Sequence, residues 1–191
     1  MIETELLLDA YRRGFFPMAV DKRGTIAWFS PELRAIIPLD DRFHIPHGLR
    51  RTMKKQAFSL TFDEEFPAVI RACAARRDGT WISPEIIKAY TALYRLGHAH
   101  SVEARRDGKL VGGLYGVHLG GAFFGESMFH RSTDASKVAL VVLVERLRQR
   151  GFVLLDTQWQ TPHLRQFGTV EIPRREYQHI LERAISFSCQ F

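Results

Sequence analysis

The stretch "YGVHLGGAFFGESMFHR", residues 115–131, decides the fold of this chain. Its two apolar halves are joined by Gly120-Gly121, a pair that is typical of the tight turn in a β-hairpin. The end of the second half is unusual, because Glu126 and Ser127 stand among apolar residues. Either this strand ends at the surface, or the carboxylate and the hydroxyl group belong to a site.

Regular elements are predicted on both sides of this hairpin from apolar periodicity and turn residues. The predicted strands cover residues 26–30, 58–62, 99–106, 109–118, 121–129, 152–157 and 169–173. The predicted helices cover residues 3–13, 46–56, 63–77, 84–96, 135–150, 161–168 and 174–186, with caps at Asp63, Ser83, Asp134 and Thr161. The rest of residues 15–45 is expected to be irregular. An antiparallel three-strand meander followed by alternating helices and strands resembles the layout of GNAT acetyltransferases.

The composition is that of an ordinary soluble domain. The chain has 191 residues, of which 46% are hydrophobic and 25% charged, which is enough for one domain with or without a small appendage. Its cysteines, Cys73 and Cys189, have neither disulfide-framework nor metal-site spacing. We see no signal peptide and no apolar run of about 20 residues, and therefore expect a cytoplasmic protein. The net charge of +6 favours a polyanionic partner.

Basic side chains concentrate on one predicted helix. They stand four residues apart in two adjacent stripes, which costs a few tenths of a kcal/mol per like-charged pair. The stripes are formed by Arg50, Arg51, Lys54 and Lys55, and Arg76 and Arg77 follow on the next helix. This pattern indicates either a solvated helix face or a surface that contacts nucleic-acid phosphates.

Several kinds of chemistry have little support in the sequence. The glycine-rich loop that binds acetyl-CoA in GNAT enzymes is absent, since no glycine lies between Gly125 and Gly151. His98 and His100 have the spacing of one strand face, which is compatible with a metal site but more typical of partly exposed strand residues. No nucleophile motif of the G-x-S-x-G type occurs.

The end of the strand "LLDTQ", residues 154–158, offers a further candidate. Because side chains alternate along a strand, Asp156 and Gln158 are predicted to lie on the same side. A carboxylate and an amide together could orient an amine beside a carbonyl group. The alternative is a strand that leaves the sheet into a loop.

Nine blocks of sequence, in order along nearly the whole chain, resemble the leucyl/phenylalanyl-tRNA–protein transferases. They are "YRRGFFP" (11–17), "WFSPELRAII" (28–37), "GTWIS" (79–83), "GHAHSVE" (97–103), "LVGGLYGV" (110–117), "FGESMFHR" (124–131), "DASKVAL" (134–140), "LLDTQ" (154–158) and "FGTVEIPRREY" (167–177). Two departures from the usual pattern, Met18 and Phe29, fall where the family often has tryptophan.

The resemblance implies an α+β protein with a GNAT-like catalytic domain, residues 58–191, whose mixed, mostly antiparallel sheet is flanked by helices. A small N-terminal α/β subdomain, residues 1–57, packs on it. The enzyme would move Leu or Phe, and also Met, from aminoacyl-tRNA to the N-terminal Arg or Lys of acceptor proteins. The product carries an N-degron that marks it for degradation. Leu-tRNA, Phe-tRNA and the acceptor proteins are the expected partners, with no metal or CoA cofactor, no membrane contact and a monomeric state.

The resemblance also assigns roles to individual residues. Asp156 and Gln158 are the proposed catalytic pair, and Glu126 faces the reacting end of the donor. We hypothesise that Asp156 holds the incoming amine while Gln158 hydrogen-bonds near the carbonyl group. The donor side chain and terminal adenosine would be bound by Trp28, Trp81, Tyr90, Leu114, Phe123, Met128 and Leu155. The basic residues 50, 51, 54, 55, 76 and 77 would contact tRNA.

Two functions of other classes stay open. A GNAT-type acetyltransferase would bind CoA, which the absent phosphate loop argues against. A tRNA-binding module without activity would bind charged and uncharged tRNA alike and would tolerate loss of Asp156.

Overall fold

The computed structural model describes residues 2–75 and 79–191 as an α+β protein. Its helices are α1 (Thr4–Arg12), α2 (His47–Lys54), α3 (Phe66–Ala74), α4 (Pro84–Arg95), α5 (Ala135–Gln149), α6 (Pro162–Arg165) and α7 (Arg174–Ile185). Its strands are β1 (Phe16–Ala19), β2 (Ile26–Phe29), β3 (Leu33–Ile37), β4 (Ser59–Phe62), β5 (Ala99–Arg106), β6 (Lys109–Leu119), β7 (Ala122–His130), β8 (Leu154–Gln158) and β9 (Val170–Pro173). Arg76 and Arg77 lie outside the described residues.

A seven-stranded sheet in the order β4-β5-β6-β7-β8-β3-β9 forms the centre of the molecule. Its neighbours pair in the antiparallel sense, except for the parallel pair β7 and β8. The strands β1 and β2 form a separate antiparallel hairpin. The predicted meander and the mostly antiparallel sheet are therefore confirmed.

The pair β7 and β8 opens into a gap. Pairing covers Ala122–Phe124 of β7 and Leu154–Asp156 of β8, although β7 continues to His130. Each strand carries a bulge just beyond the pairing. In β7 the extra residue is Glu126, and in β8 it is Thr157. A bulge bends its strand and re-aims the side chains near it, which suits the edge of a site.

Two hydrophobic cores cover the faces of the sheet. The helix α5 packs on one face, and its buried residues join one apolar cluster. The helices α1, α3, α4 and α7 supply the second cluster on the other face. The gap between β7 and β8 consequently opens toward both cores.

Some predicted helix caps are confirmed and others are wrong. Ser83 and Thr161 accept a hydrogen bond from a backbone N–H of the helix that follows. Asp63 caps nothing: α3 starts three residues later, and the Asp63 carboxylate accepts the backbone N–H of Ser101. Asp134 precedes α5 without a side-chain capping bond, since its carboxylate accepts from Thr52 instead.

The expectation that residues 15–45 are largely irregular is wrong. Besides the predicted β2, this segment contains β1 and β3, and β3 lies between β8 and β9 inside the large sheet. Its pattern is hard to read because a charged residue, Arg34, interrupts the apolar run. The division at residue 57 stays a prediction, and β3 on its N-terminal side pairs within the larger unit.

Candidate active site

A cavity of about 670 Å³ occupies the gap between β7 and β8. One wall belongs to the core on the α5 side and is aliphatic. Its apolar residues are Leu114, Met128, Leu140, Leu143, Leu155 and Leu164. The opposite wall belongs to the other core and is mostly aromatic. It includes Phe16, Met18, Trp81, Tyr115 and Phe129. A predominantly apolar cavity with a few polar groups is the usual form of a small-ligand site.

Glu126 is the ionisable group at the centre of this cavity. The bulge in β7 directs its carboxyl toward α1 and α4, where Tyr11 donates to Oε1 over 2.6 Å and Tyr90 donates to Oε2 over 3.2 Å. Burial raises the pKa of Glu126 to about 7, with a smaller contribution from Asp156, while the tyrosine hydrogen bonds oppose the rise. The carboxyl group therefore changes its charge in the neutral range.

Tyr11 and Tyr90 lie beneath Glu126 and do not line the cavity. Both rings are fully buried, and their hydroxyl oxygens are 2.5 Å apart. Burial, together with the charge of Glu126, raises the pKa of each phenol well above its ordinary value. Both hydroxyls stay protonated and act as donors. That Tyr90 borders the substrate stays a prediction, and α4 places its ring one layer below the cavity, in contact with Glu126.

Asp156 is fully buried and surrounded by donors. Arg34 donates to it twice, from Nε to Oδ1 over 2.9 Å and from Nη2 to Oδ2 over 2.6 Å. Tyr177 donates to Oδ2 and the backbone N–H of Gln158 donates to Oδ1, each over 2.8 Å. Two carboxylate oxygens offer about four acceptor positions, and all are taken. The structure does not support direct contact between Asp156 and an incoming amine.

Gln158 lines the cavity, whereas Asp156 does not. Its φ is +60°, in the left-handed region, and its Nε2 donates to Glu126 Oε1 over 3.3 Å. The strict alternation from which Asp156 and Gln158 were predicted to lie on the same side does not hold at this end of β8. Thr157 is the bulge residue between them, and the bulge with the left-handed backbone breaks the alternation of the strand.

Some of the residues predicted to bind the donor line the cavity, and others do not. Trp81, Leu114, Met128 and Leu155 line the cavity. Phe123 does not, because it precedes the β7 bulge and stacks on Phe191 inside the core. Trp28 does not either, since it lies on the outer side of the β1–β2 hairpin, partly exposed.

The basic helix α2 is exposed to solvent, as its sequence predicts. Arg50 donates to the carbonyl oxygen of Ile45, and Arg51 contacts His47. Lys54 and Lys55 are exposed beside them. Within residues 2–75 and 79–191 none of the four cations forms an ion pair with a carboxylate, so their charge is available to a partner.

Sequence reasoning missed several residues of the site. Arg34 could have been recognised from the sequence, because a lone arginine in an apolar strand needs a buried partner. Trp159 stacks edge-on against Phe16 at 5.0 Å beside the cavity, and nothing in its loop pointed to this. Leu140 and Leu143 belong to an apolar helix, and the sequence does not show which of its residues face the cavity. That depends on how the helix packs against the strands.

In the part of the chain that the structure describes, no group of three or more His, Cys, Asp or Glu side chains is placed to hold a metal ion. His100 instead contacts Asp63 through Nδ1 and His118 through Nε2. No described helix is both long and apolar enough to span a bilayer.

Comparison with known proteins identifies relatives of the whole chain. Residues 1–32 match the N-terminal domain of leucyl/phenylalanyl-tRNA protein transferase, and residues 36–182 match the family's main model. The transferase of Akkermansia muciniphila is 56% identical over 186 residues, which is 96% of each chain. That of Herpetosiphon aurantiacus is 54% identical over 190 residues, covering 100% of this chain and 98% of its own. The resemblance seen in the nine sequence blocks is confirmed.

A solved structure shares the fold at low sequence identity. FemX aligns with a TM-score of 0.59 and 11% identity, covering 94% of this chain and 71% of its own. At this identity the likeness concerns the fold alone. The predicted fold class, an α+β protein with a mixed, mostly antiparallel sheet flanked by helices, is confirmed.

Proposed function

The chain belongs to the leucyl/phenylalanyl-tRNA–protein transferase family, and on that premise we propose that this transferase moves Leu or Phe, and also Met, from aminoacyl-tRNA to the N-terminal Arg or Lys of acceptor proteins. The new peptide bond creates a degradation signal. The observation that carries this proposal is the cavity between β7 and β8, which pairs an apolar wall with Glu126 and Gln158. We place the reaction in the cytoplasm, where charged tRNA occurs, and expect a monomer.

The aliphatic wall suits the donor side chain. Leu114, Met128 and Leu143 contribute flexible or branched apolar groups without a charge. Leu, Phe and Met each bury an apolar side chain there. Missing methylene groups alone discriminate by only about 1–3 kcal/mol, so size alone rejects Val weakly, and β-branched donors would have to be excluded by shape.

The aromatic wall suits the terminal adenosine of the tRNA. Trp81 and Phe16 line the cavity, and Trp159 packs beside Phe16. Stacking of a base on an aromatic side chain contributes about 1–3 kcal/mol. The ester bond between adenosine and amino acid then lies between the two walls, near Glu126 and Gln158.

The chemistry requires mainly positioning. The acceptor amine attacks the ester carbonyl carbon, so that a C–N bond forms, the bond to the 3′ oxygen breaks, and the amine proton ends on that oxygen. An α-amino group has a pKa of about 8, so roughly a tenth is neutral at pH 7. Gln158 orients this amine through its amide oxygen while its Nε2 stays on Glu126. Glu126 is the ionisable group that takes up or returns the proton.

The exposed cations of α2 support tRNA binding. Arg50, Arg51, Lys54 and Lys55 present positive charge without carboxylate partners among the described residues. Phosphate contacts of this kind give affinity without reading sequence. Arg76 and Arg77 stay a prediction for the same role.

The direct test is one transfer assay with radiolabelled Leu-tRNA and two model proteins, one beginning with Arg and one with Asp. We expect label on the Arg protein. Label on the Asp protein would keep the reaction and overturn the acceptor assignment. Label on neither, with tRNA still bound, would contradict the transferase proposal and favour a binding module.

A further inference from the structure

Arg34 is a fully buried arginine beside the cavity. Its side chain is 1% exposed. The guanidinium lies between two rings, 4.8 Å from the centre of Phe16 and 4.5 Å from that of Tyr177. It stands in β3, in the short interval between the two segments that match the family models.

The guanidinium connects three parts of the molecule. Its fork binds both oxygens of Asp156 at the end of β8, and Nη1 donates to the carbonyl oxygen of Gly14 over 2.9 Å. Gly14 has a φ of +77°, and an added Cβ would stand 3.1 Å from the Tyr177 ring. This carbonyl group belongs to the turn that leads into β1, the strand that brings Phe16 to the cavity.

Asp156, held by Arg34, in turn holds the backbone of Gln158. Oδ1 accepts both Nε of Arg34 and the backbone N–H of Gln158. Left-handed backbone is unfavourable for a residue with a side chain and persists only where its surroundings enforce it. The Asp156 carboxylate, held by Arg34, supplies that enforcement and so aims the Gln158 amide into the cavity.

We propose that Arg34 is a positioning residue of the transfer reaction: by clamping Asp156 it fixes the backbone of Gln158 and thereby the amide that orients the acceptor amine. This inference rests on the proposed function. In this arrangement Asp156 acts through Gln158 and touches neither donor nor acceptor. Lysine cannot replace Arg34, because one ammonium group cannot present two parallel N–H bonds to a carboxylate and a third to Gly14.

The test compares Arg34→Lys with Tyr177→Phe in steady-state transfer of Leu to a peptide that begins with Arg. Arg34→Lys keeps the buried positive charge and loses the fork, whereas Tyr177→Phe removes another Asp156 partner and keeps the fork. We expect Arg34→Lys to lower kcat about a hundredfold, the effect of a misplacement near 1 Å, with KM for Leu-tRNA within about twofold. Tyr177→Phe should lower kcat by less than about tenfold. A folded Arg34→Lys enzyme with kcat within about threefold of wild type overturns the proposal.

A matched core variant separates positioning from general destabilisation. Leu147→Ala removes a fully buried side chain of α5 that does not line the cavity. If it lowers Tm as much as Arg34→Lys and lowers kcat equally, the effect of Arg34 is structural and the proposal fails. We expect its kcat to stay near that of the wild type.

Crystal structures give a readout that does not need activity. In Arg34→Lys, Gln158 should leave the left-handed region, and retention of a φ near +60° with an unmoved amide overturns the proposal. If that variant does not fold, the wild type with a non-hydrolysable leucyl-adenosine amide decides: Gln158 should contact the analogue, and an analogue bound directly to Asp156 contradicts the clamp. A wild-type protein without transfer activity would instead contradict the proposed function, whatever the crystal structures show.

Discussion

The two sides of the cavity differ in how they are held together. The α5 side is an aliphatic wall whose packing is non-directional, so that its shape depends on volume more than on exact orientation. On the other side, behind the aromatic wall, lies a polar cluster held by directional hydrogen bonds. Arg34 binds Asp156, Tyr11 and Tyr90 bind Glu126, and Gln158 connects the two groups. Arg34, Asp156, Tyr11 and Tyr90 are fully buried and Glu126 is partly buried, so each unmet bond is costly. We therefore expect the aliphatic wall to select the donor side chain and the hydrogen-bonded cluster to fix the positions of Glu126 and Gln158.

The largest expected effect comes from removing the anion of the polar cluster. Asp156→Ala leaves the guanidinium of Arg34 buried without its partner, and breaking a buried pair in this way typically costs about 3–5 kcal/mol. Urea denaturation should therefore show a large fall in the free energy of unfolding. Leu143→Met in the aliphatic wall is the matched control and should cost less than about 1.5 kcal/mol. Equal losses in the two variants would contradict the distinction between the two sides.

The next effect concerns pH and Glu126. Its pKa is about 7 in the folded protein against an ordinary 4.5, so between these values the folded state binds more protons than the unfolded state. Stability should then fall as pH rises from about 4.5 to 7, by about 1–3 kcal/mol in total. Glu126→Gln should remove this slope and be the more stable protein above pH 7. Parallel pH–stability curves for the two proteins would refute the raised pKa.

The third effect tests whether the aliphatic wall selects the donor. Leu143→Phe fills part of the cavity and should lower kcat/KM for Phe-tRNA about tenfold more than for Leu-tRNA, since a few methylene groups change recognition by about 1–3 kcal/mol. Competition between the two charged tRNAs measures this ratio. Leu143→Met should leave the ratio within about twofold. An unchanged ratio in Leu143→Phe would place the donor side chain elsewhere.

The smallest effect lies outside both sides of the cavity, on α2. Replacing Lys54 and Lys55 together by Ala should weaken tRNA binding a few-fold and reduce the slope of log affinity against log salt by about one per lost phosphate contact. Filter binding at several salt concentrations measures both quantities. Lys88→Ala on α4 is the control, with no change expected. An unaltered slope in the α2 variant would remove this helix from the tRNA surface.

Most secondary structure could be predicted because its signals are local. Ser83 with Pro84 marks the start of α4, and the meander follows from the turn glycines between its strands. The strand β1 contains Pro17 and was missed although its partner β2 is the next strand. The strand β3 could not be predicted, because Arg34 interrupts its apolar run and its pairing partners β8 and β9 lie far along the chain. The wrong cap at Asp63 has the same cause, since a partner on β5 takes its carboxylate.

The sequence indicated which residues form the site better than it indicated how they are arranged. Glu126 stood out as a carboxylate among apolar residues, and it does occupy the centre of the cavity. Asp156 and Gln158 were singled out by strict alternation along one strand. The bulge at Thr157, where the register between β3 and β8 shifts, breaks that alternation, and it could not be predicted without knowing that the two strands pair.

The family, most helices and strands, the basic character of α2 and the identity of the ionisable groups at the site all follow from the amino-acid sequence. Each of these depends on residue type and on neighbours close along the chain. Only the tertiary structure decided that Asp156 is clamped by Arg34, 122 residues away, that Tyr11 and Tyr90 support Glu126, and that Gln158 alone of the predicted pair reaches the cavity. These relations arise from pairing between distant strands and from burial, which raises the pKa of Glu126 and makes each hydrogen bond in the cluster costly to lose.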